Sequence, residues 1–106
     1  MEIILSPIAE KKLDLLLEYI ELNWGISSKE KFIRKLEKEF MLLSLHPYKN
    51  KRTETFPELY NCVVTKQTSI IYRVIQTSSV VEIVTLFDNR QDNQELLKEI
   101  KKYFNL

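Results

Sequence analysis

The sequence has very few of the residues that cross-link a chain, bind metals or break secondary structure. Its 106 residues include one cysteine, one histidine and one glycine. The single cysteine, Cys62, excludes an internal disulfide and a cysteine-based metal site, and it is typical of a reducing compartment. No apolar run approaches the roughly 18 residues that span a bilayer, and no basic leader precedes the first apolar residues. We therefore expect a cytoplasmic protein with no membrane partner, no metal and no other cofactor.

The chain also lacks an excess of charge of either sign. It has 16 Lys and Arg against 15 Asp and Glu, so net charge neither demands nor excludes a nucleic-acid partner. The cations are nevertheless concentrated between residues 29 and 52, and the loop that follows His46-Pro47 contains Lys49, Lys51 and Arg52. We interpret these three residues either as a solvated loop or as a basic surface for a target or RNA. The length fits one domain, residues 1–106.

The first half of the chain predicts one strand and two helices. EIIL, residues 2–5, favours a short strand, and Ser6-Pro7 is a good helix start because serine can cap the helix and proline loses no needed donor. Apolar residues then recur at helical spacing up to Trp24, and Gly25 ends the helix. Ser27 and Glu30 form a potential capping box for a second helix, which ends before His46-Pro47. The two helices predict an antiparallel hairpin.

The second half predicts a loop, three strands and a final helix. Residues 48–58 are polar and indicate a loop, and three β-prone runs follow at residues 59–65, 69–75 and 80–87. Because the connections are short, these strands should be antiparallel neighbours, and the last should be the most buried. The resulting order, β-α-α-β-β-β-α, indicates an α+β fold.

Six consecutive polar residues, DNRQDN, stand at positions 88–93, where the last apolar run stops. Asp92, with Glu95 three residues later, predicts a capping box for the final helix. Arg90 has two interpretations: a contact to a phosphate or an acidic target surface, or a local salt bridge with Asp88 or Asp92. Arg90 is therefore the residue of this stretch with a potential functional role.

Arg73 lies in the predicted strand of residues 69–75, between Tyr72 and Val74. An unpaired buried charge is costly, so Arg73 must face solvent or have an acidic partner such as Glu82 on the next strand.

The runs LYNCVVTKQTSIIYRV (59–74) and VVEIVTLFDNRQDN (80–93), leading into a C-terminal helix, resemble the RelE/ParE superfamily of toxins from bacterial type II toxin–antitoxin systems. The resemblance is best to the ParE-like branch, where the last strand is followed by an arginine-containing tail, often RQDP; here Asn93 takes the place of the proline. It implies an antiparallel-rich sheet packed against an N-terminal helical hairpin. It also implies a plasmid-stabilisation toxin that inhibits growth by acting on DNA gyrase.

The same resemblance implies an antitoxin partner that folds along the hairpin and the sheet. We take Arg73 and Arg90 as candidates for target contact, with Lys49, Lys51 and Arg52 as secondary candidates, and expect a non-enzymatic inhibitor because His and Tyr are missing from the tail before Tyr103. The alternative is a RelE-like ribosome-dependent endoribonuclease, in which Arg73 binds the scissile phosphate of the mRNA and Arg90 stabilises charge. A further alternative is a non-toxic relative that retains antitoxin binding.

Overall fold

A computed structural model describes residues 1–105 of the chain. Its elements are β1 (Glu2–Leu5), α1 (Pro7–Trp24), α2 (Ile26–Leu45), β2 (Lys51–Arg52), β3 (Tyr60–Val63), β4 (Thr68–Ile75), a single 3-10 turn (Gln76–Ser78), β5 (Val80–Asp88) and α3 (Asn93–Tyr103). The predicted order is confirmed, with one addition: the two-residue strand β2 lies in the segment predicted to be a loop. No helix within residues 1–105 has the length and apolar character needed to cross a membrane.

The five strands form one sheet in the order β1-β5-β4-β3-β2. The strands β2 to β5 are antiparallel neighbours, as the short connections predict. β1 pairs with β5 in parallel, and the chain between them forms the helical hairpin and the strands β2, β3 and β4. β5 thus lies between two strands, and it is buried from Val80 to Leu86, as predicted for the most buried strand.

Ser6 joins the first helix to the centre of the sheet. Its Oγ accepts a hydrogen bond from the Ala9 N–H at 3.0 Å, the capping bond predicted from Ser6-Pro7. The same Oγ donates to the Val84 carbonyl at 2.6 Å, and the Ser6 N–H donates to the Ile83 carbonyl at 2.9 Å. A β-bulge at this point of β5 makes Val84 the unpaired extra residue, so its carbonyl is free to accept the Ser6 hydroxyl.

Gly25 makes the turn of the helical hairpin. Its φ of +94° is a conformation that side chains rarely adopt, and its N–H donates to the Glu21 carbonyl at 3.0 Å, so it ends α1 as predicted. The predicted capping box of Ser27 and Glu30 is wrong, since α2 already begins at Ile26 and has no side-chain cap. Because one glycine reverses the chain, Ser27 falls within the first turn of α2 rather than before it.

Each face of the sheet has its own hydrophobic core. The hairpin covers one face, where the core includes Ala9, Leu43, Tyr60, Cys62, Ile70, Tyr72, Val81, Ile83 and Leu86. Helix α3 covers the other face with Leu96 and Ile100, which pack against Phe56, Leu59, Ile71 and Val84. The sheet is therefore the middle layer of three, and the segment after β5 must cross its end to bring α3 to the second face.

Candidate functional site

A groove of about 530 Å³ lies between the helical hairpin and the ends of β4 and β5. We call it the hairpin groove. Its apolar walls are made by residues of α1, α2 and β5: Leu15, Leu16, Tyr19, Ile20, Trp24, Phe32, Leu86 and Phe87. Its charged residues are Lys12, Lys31, Lys35, Asp88 and Arg90. The polar stretch after β5 thus opens into an apolar groove with a predominantly basic rim.

Arg90 is held by Asp88 at the edge of this groove. Its Nε and Nη2 donate to the two carboxylate oxygens of Asp88 at 3.0 and 2.8 Å, and its backbone N–H donates to Oδ1 at 2.8 Å. The side-chain bond from Arg90 is the main reason that the pKa of Asp88 falls to about 2, and the same bond raises the pKa of Arg90. The side chain of Arg90 remains 74% exposed, so the predicted salt bridge forms without removing Arg90 from solvent.

The neighbouring polar residues have structural roles. Asp92 is the N-cap of α3 and accepts a hydrogen bond from the Gln94 N–H at 2.9 Å, which confirms this part of the predicted capping box. Asn89 accepts from the Ser69 hydroxyl at 2.6 Å and donates to the Lys66 carbonyl at 3.0 Å, which ties the end of β5 to the β3–β4 turn. Asp88, Asn89 and Asp92 are thus held by contacts within the fold, and Arg90 and Gln91 line the hairpin groove.

Arg73 belongs to a different cluster, on the sheet face that α3 covers. Its Nε donates to Glu82 Oε1 at 2.7 Å, and the Tyr103 hydroxyl donates to Glu82 Oε2 at 3.0 Å. Its guanidinium also lies 5.0 Å from the centre of the Phe104 ring. The cross-strand pair with Glu82 is confirmed, and burial, with the bond to Glu82 as a second cause, raises the pKa of Tyr103.

The structure does not bring Arg73 and Arg90 together. Their partners Glu82 and Asp88 lie six residues apart on β5, which is roughly 20 Å along a strand. Each guanidinium is bound by the carboxylate at its own end of the strand. The two arginines therefore do not converge on one phosphate in this conformation.

The family model of the ParE toxin of the type II toxin–antitoxin system parDE matches residues 3–93. The chain belongs to this family. Of the curated proteins, none matches the sequence.

Solved structures of low sequence identity share the fold of this chain. The chromosomal ParDE toxin–antitoxin system of P. aeruginosa is similar with a TM-score of 0.67 at 14% identity, over 83% of this chain and 95% of that one. The YoeB/ParE toxin of Agrobacterium tumefaciens has a TM-score of 0.62 at 10% identity, over 84% and 99%. The isolated E. coli RelE toxin has a TM-score of 0.56 at 18% identity, over 93% and 97%. The resemblance read from the sequence is thereby confirmed, as is the fold.

The three basic residues of the segment after α2 do not form one site on this ParE-family fold. Lys49 Nζ pairs with Glu39 Oε2 of α2 at 3.3 Å. Arg52 lies over the ring of Tyr60, 5.5 Å from its centre. Lys51 precedes Arg52 on β2, and successive strand residues point to opposite faces, so Lys51 and Arg52 face different sides of the sheet. Sequence clustering therefore overstates how closely these cations lie.

Two tyrosines take positions near the candidate arginines that their sequence positions do not indicate. Tyr19, which is 57% exposed, lines the hairpin groove together with Arg90. Tyr103, the last residue of α3, reaches Glu82 because that helix returns across the sheet. Tertiary packing brings each tyrosine to its arginine. The one signal of this in the sequence is the helical periodicity, which places Tyr19 beside Leu15 and Leu16 on one face.

Cys62 is a buried residue of the hydrophobic core on the hairpin side. It is 1% exposed, and its Sγ donates a hydrogen bond to Glu39 Oε2 at 3.3 Å. Burial raises the pKa of the thiol to about 11. Residues 1–105 contain no cluster of three or more His, Cys, Asp or Glu side chains that could hold a metal ion.

Proposed function

We propose that this chain inhibits DNA gyrase by direct contact, that Arg90 is the principal contact residue, and that a cognate antitoxin neutralises it. Membership of the ParE toxin family supports the toxin role. The fold shared with the ParDE system of P. aeruginosa and the E. coli RelBE complex supports an antitoxin partner.

The observation that carries the proposal is the composition of the hairpin groove around Arg90. Arginine, tryptophan and tyrosine are the residue types most enriched at the centres of protein–protein interfaces. Arg90, Trp24 and Tyr19 all line this groove, and the side chains of Trp24 and Arg90 are 68% and 74% exposed. Such a surface suits contact with a protein better than the tracking of a nucleic-acid backbone, which requires a continuous row of cations.

The other candidate residues are secondary in this proposal. Arg73 is already paired with Glu82 and lies over the ring of Phe104, so it is less available to a target than Arg90. Lys49 and Arg52 have partners of their own, whereas Lys51 is exposed on the edge strand β2. We therefore rank Lys51 as an auxiliary contact and Arg90 as the main one.

The decisive experiment is to induce the chain alone in bacterial cells and follow DNA breakage and protein synthesis in the same samples. Accumulating breaks with continued early synthesis are expected, and Arg90→Ala should abolish most of the breakage while the purified variant unfolds at the wild-type temperature. Arg34→Ala is the matched control, since Arg34 is an exposed cation of α2 outside the groove. Undiminished breakage with Arg90→Ala would reject the role of Arg90.

The second candidate function is a RelE-like ribosome-dependent endoribonuclease, and one observation favours it. Glu82 accepts hydrogen bonds from both Arg73 and Tyr103. The cluster thus contains a cation, a carboxylate and a phenol, which are groups that acid–base cleavage of RNA uses. An early collapse of synthesis with intact DNA and cleaved message, lost in Arg73→Ala, would select this function. If neither synthesis nor DNA changes, both toxic functions are rejected, and binding of a cognate antitoxin would then test the non-toxic relative.

A further inference from the structure

Asn89 joins two turns at the end of the sheet into one unit. Its backbone N–H donates to the Gln67 carbonyl at 2.7 Å, and its Nδ2 donates to the Lys66 carbonyl at 3.0 Å. Its Oδ1 accepts a hydrogen bond at 2.6 Å from the hydroxyl of Ser69, which is 1% exposed. The backbone N–H and the side-chain amide of Asn89 thus bind both the β3–β4 turn and the start of β4.

Each of these two turns is also closed by bonds of its own. We call them together the sheet-end platform, residues 65–67 and 88–91. In the first turn, the Thr65 hydroxyl accepts from two backbone N–H groups at 3.2 and 3.1 Å. In the second turn, the Gln91 N–H donates to the Asp88 carbonyl at 2.8 Å. Because hydrogen bonds already close both turns, a partner that binds here has little of this backbone left to order.

The platform presents two cations to solvent, and only one of them has an acidic partner. Lys66 is exposed and forms no ion pair within residues 1–105. Arg90, whose side chain is 74% exposed, is paired with Asp88. Asp92, the next carboxylate along the chain, accepts the capping bond of α3. The platform therefore has two cations and one carboxylate, a net charge of +1, and its carboxylate is already paired.

We propose that Lys66 is a further target-contact residue, and that Asn89 is a positioning residue that holds Lys66 and Arg90 together for an acidic surface of the target protein. The inference rests on the proposed function for the role of Arg90. It adds a contact residue and the chemistry of the surface that is recognised. Lys66 lies outside the basic stretch of residues 29–52, and the bonds of Asn89 bring its backbone beside Arg90.

Two cations on one rigid support bind a pair of carboxylates better than two separate cations do. Once the first ion pair has formed, the second carboxylate meets a cation that is already close, so the effective concentration of that cation is high. A protein surface suits the platform better than nucleic acid does, because the platform has two cations rather than a continuous row. Arg90 also borders the hairpin groove, where Tyr19 and Trp24 are available to a protein partner.

NMR titration of the purified, isotope-labelled chain tests the proposal with a defined acidic probe, tetraglutamate with blocked ends. At low salt, the backbone signals of Lys66 and Arg90 should shift together with one dissociation constant, and tetraglutamine should shift neither. Lys101, an exposed cation of α3, is the control for non-specific attraction and should shift much less. Shifts at Arg90 alone, or equal shifts at Lys101, would overturn the proposal. Tighter binding of a thymidine oligonucleotide of equal charge at the same residues would make phosphates the ligand, and would also overturn it.

Variants then separate contact from positioning. Lys66→Ala should weaken the tetraglutamate titration observed at residue 90 by about two- to fivefold, and Arg90→Ala should do the same at residue 66. If each cation binds the probe independently, neither titration will respond to loss of the other cation, and the proposal is wrong.

Asn89→Ala removes no charge, yet it should abolish this mutual dependence, because only the bonds of the Asn89 side chain are lost. Ser69→Ala, which releases the side-chain oxygen of Asn89 without changing residue 89, should have the same effect in milder form. Unchanged mutual dependence in both folded variants would reject the positioning role of Asn89. If Asn89→Ala does not fold, Ser69→Ala decides this point.

Failure of this inference can be distinguished from failure of the proposed function. The titrations use the purified chain and do not require toxicity, so coupled binding at Lys66 and Arg90 without DNA breakage in cells would reject gyrase inhibition alone. In cells, Lys66→Glu should reduce the breakage, whereas Lys101→Glu should not. Breakage that is lost in Arg90→Ala but undiminished in Lys66→Glu would reject this inference alone.

Discussion

At the scale of single residues, the pairing of Asp88 with Arg90 has a measurable consequence. Three hydrogen bonds from Arg90 hold the pKa of the Asp88 carboxyl at about 2, below its ordinary value of 3.8. Because the pKa is lowered, the pair contributes its full stability to the folded chain at pH values above the ordinary pKa of 3.8. This contribution is lost as the pH falls through about 2. Because both side chains are largely exposed, the contribution itself is small.

We therefore predict that NMR titration of the carboxyl carbons will give Asp88 a pKa near 2 in the wild type and a higher one in Arg90→Ala. The pKa in Arg90→Ala should stay below 3.8, because the backbone N–H of residue 90 still donates to Asp88 Oδ1. Arg34→Ala should leave the Asp88 titration unchanged. A wild-type value near the ordinary one would mean that Arg90 spends most of its time away from Asp88.

Residue roles that depend on sequence neighbours were predictable, and roles that depend on distant contacts were not. The capping roles of Ser6 and Asp92 follow from local helix-start chemistry, and both are confirmed. The contacts of Tyr103 with Glu82, and the position of Tyr19 beside Arg90, arise only when separate elements pack together. The hairpin groove itself has no signature in the sequence, since four elements contribute to its lining.

At the scale of elements, the start of α1 is the most strongly specified boundary in the fold. Ser6 is 2% exposed, and its hydroxyl both caps the helix and donates to the bulged carbonyl of Val84. Removing it leaves one helix N–H and one buried carbonyl without their partners. A lost cap typically costs about 1 kcal/mol, and a buried unsatisfied group about 1–3 kcal/mol.

Ser6→Ala should therefore lower the free energy of unfolding by roughly 2–3 kcal/mol, measured by urea denaturation. Ser27→Ala, at an exposed position of α2, is the matched control and should change stability by less than about 0.5 kcal/mol. If Ser6→Ala lowers the free energy of unfolding by no more than Ser27→Ala does, the bond between the hairpin and β5 is dispensable.

Boundaries were predictable where a strong local signal stands alone, and less so where signals compete. Gly25 ends α1 as expected, but it also starts α2, which displaces the predicted capping box at Ser27. The strand β2 was not predicted, because its two polar residues, Lys51 and Arg52, show no alternation of apolar and polar side chains. They pair with Asn61 and Tyr60 only because the loop folds back along β3.

At the scale of the whole molecule, the sheet depends on cover from both sides. The sequence predicted the hairpin and a final helix, but a stripe of Leu96, Leu97 and Ile100 does not say which face of the sheet that helix covers. The face is decided by Ile71 and Val84, which point away from the hairpin and would otherwise face water. The α3 helix thus completes the second core and closes the Arg73–Glu82–Tyr103 cluster beneath it.

Because the two cores lie on opposite faces, they should respond separately to truncation. Ile100 is 2% exposed in the α3 core, and Leu43 is 0% exposed in the hairpin core. Each change to alanine should cost roughly 2–5 kcal/mol. Under native conditions, Ile100→Ala should speed hydrogen exchange mainly in α3, while Leu43→Ala should speed it across α1, α2 and the sheet, because α3 is short and can open alone. If Ile100→Ala instead accelerates exchange throughout the chain, then α3 opens only with global unfolding, and the Arg73 cluster stays closed whenever the protein is folded.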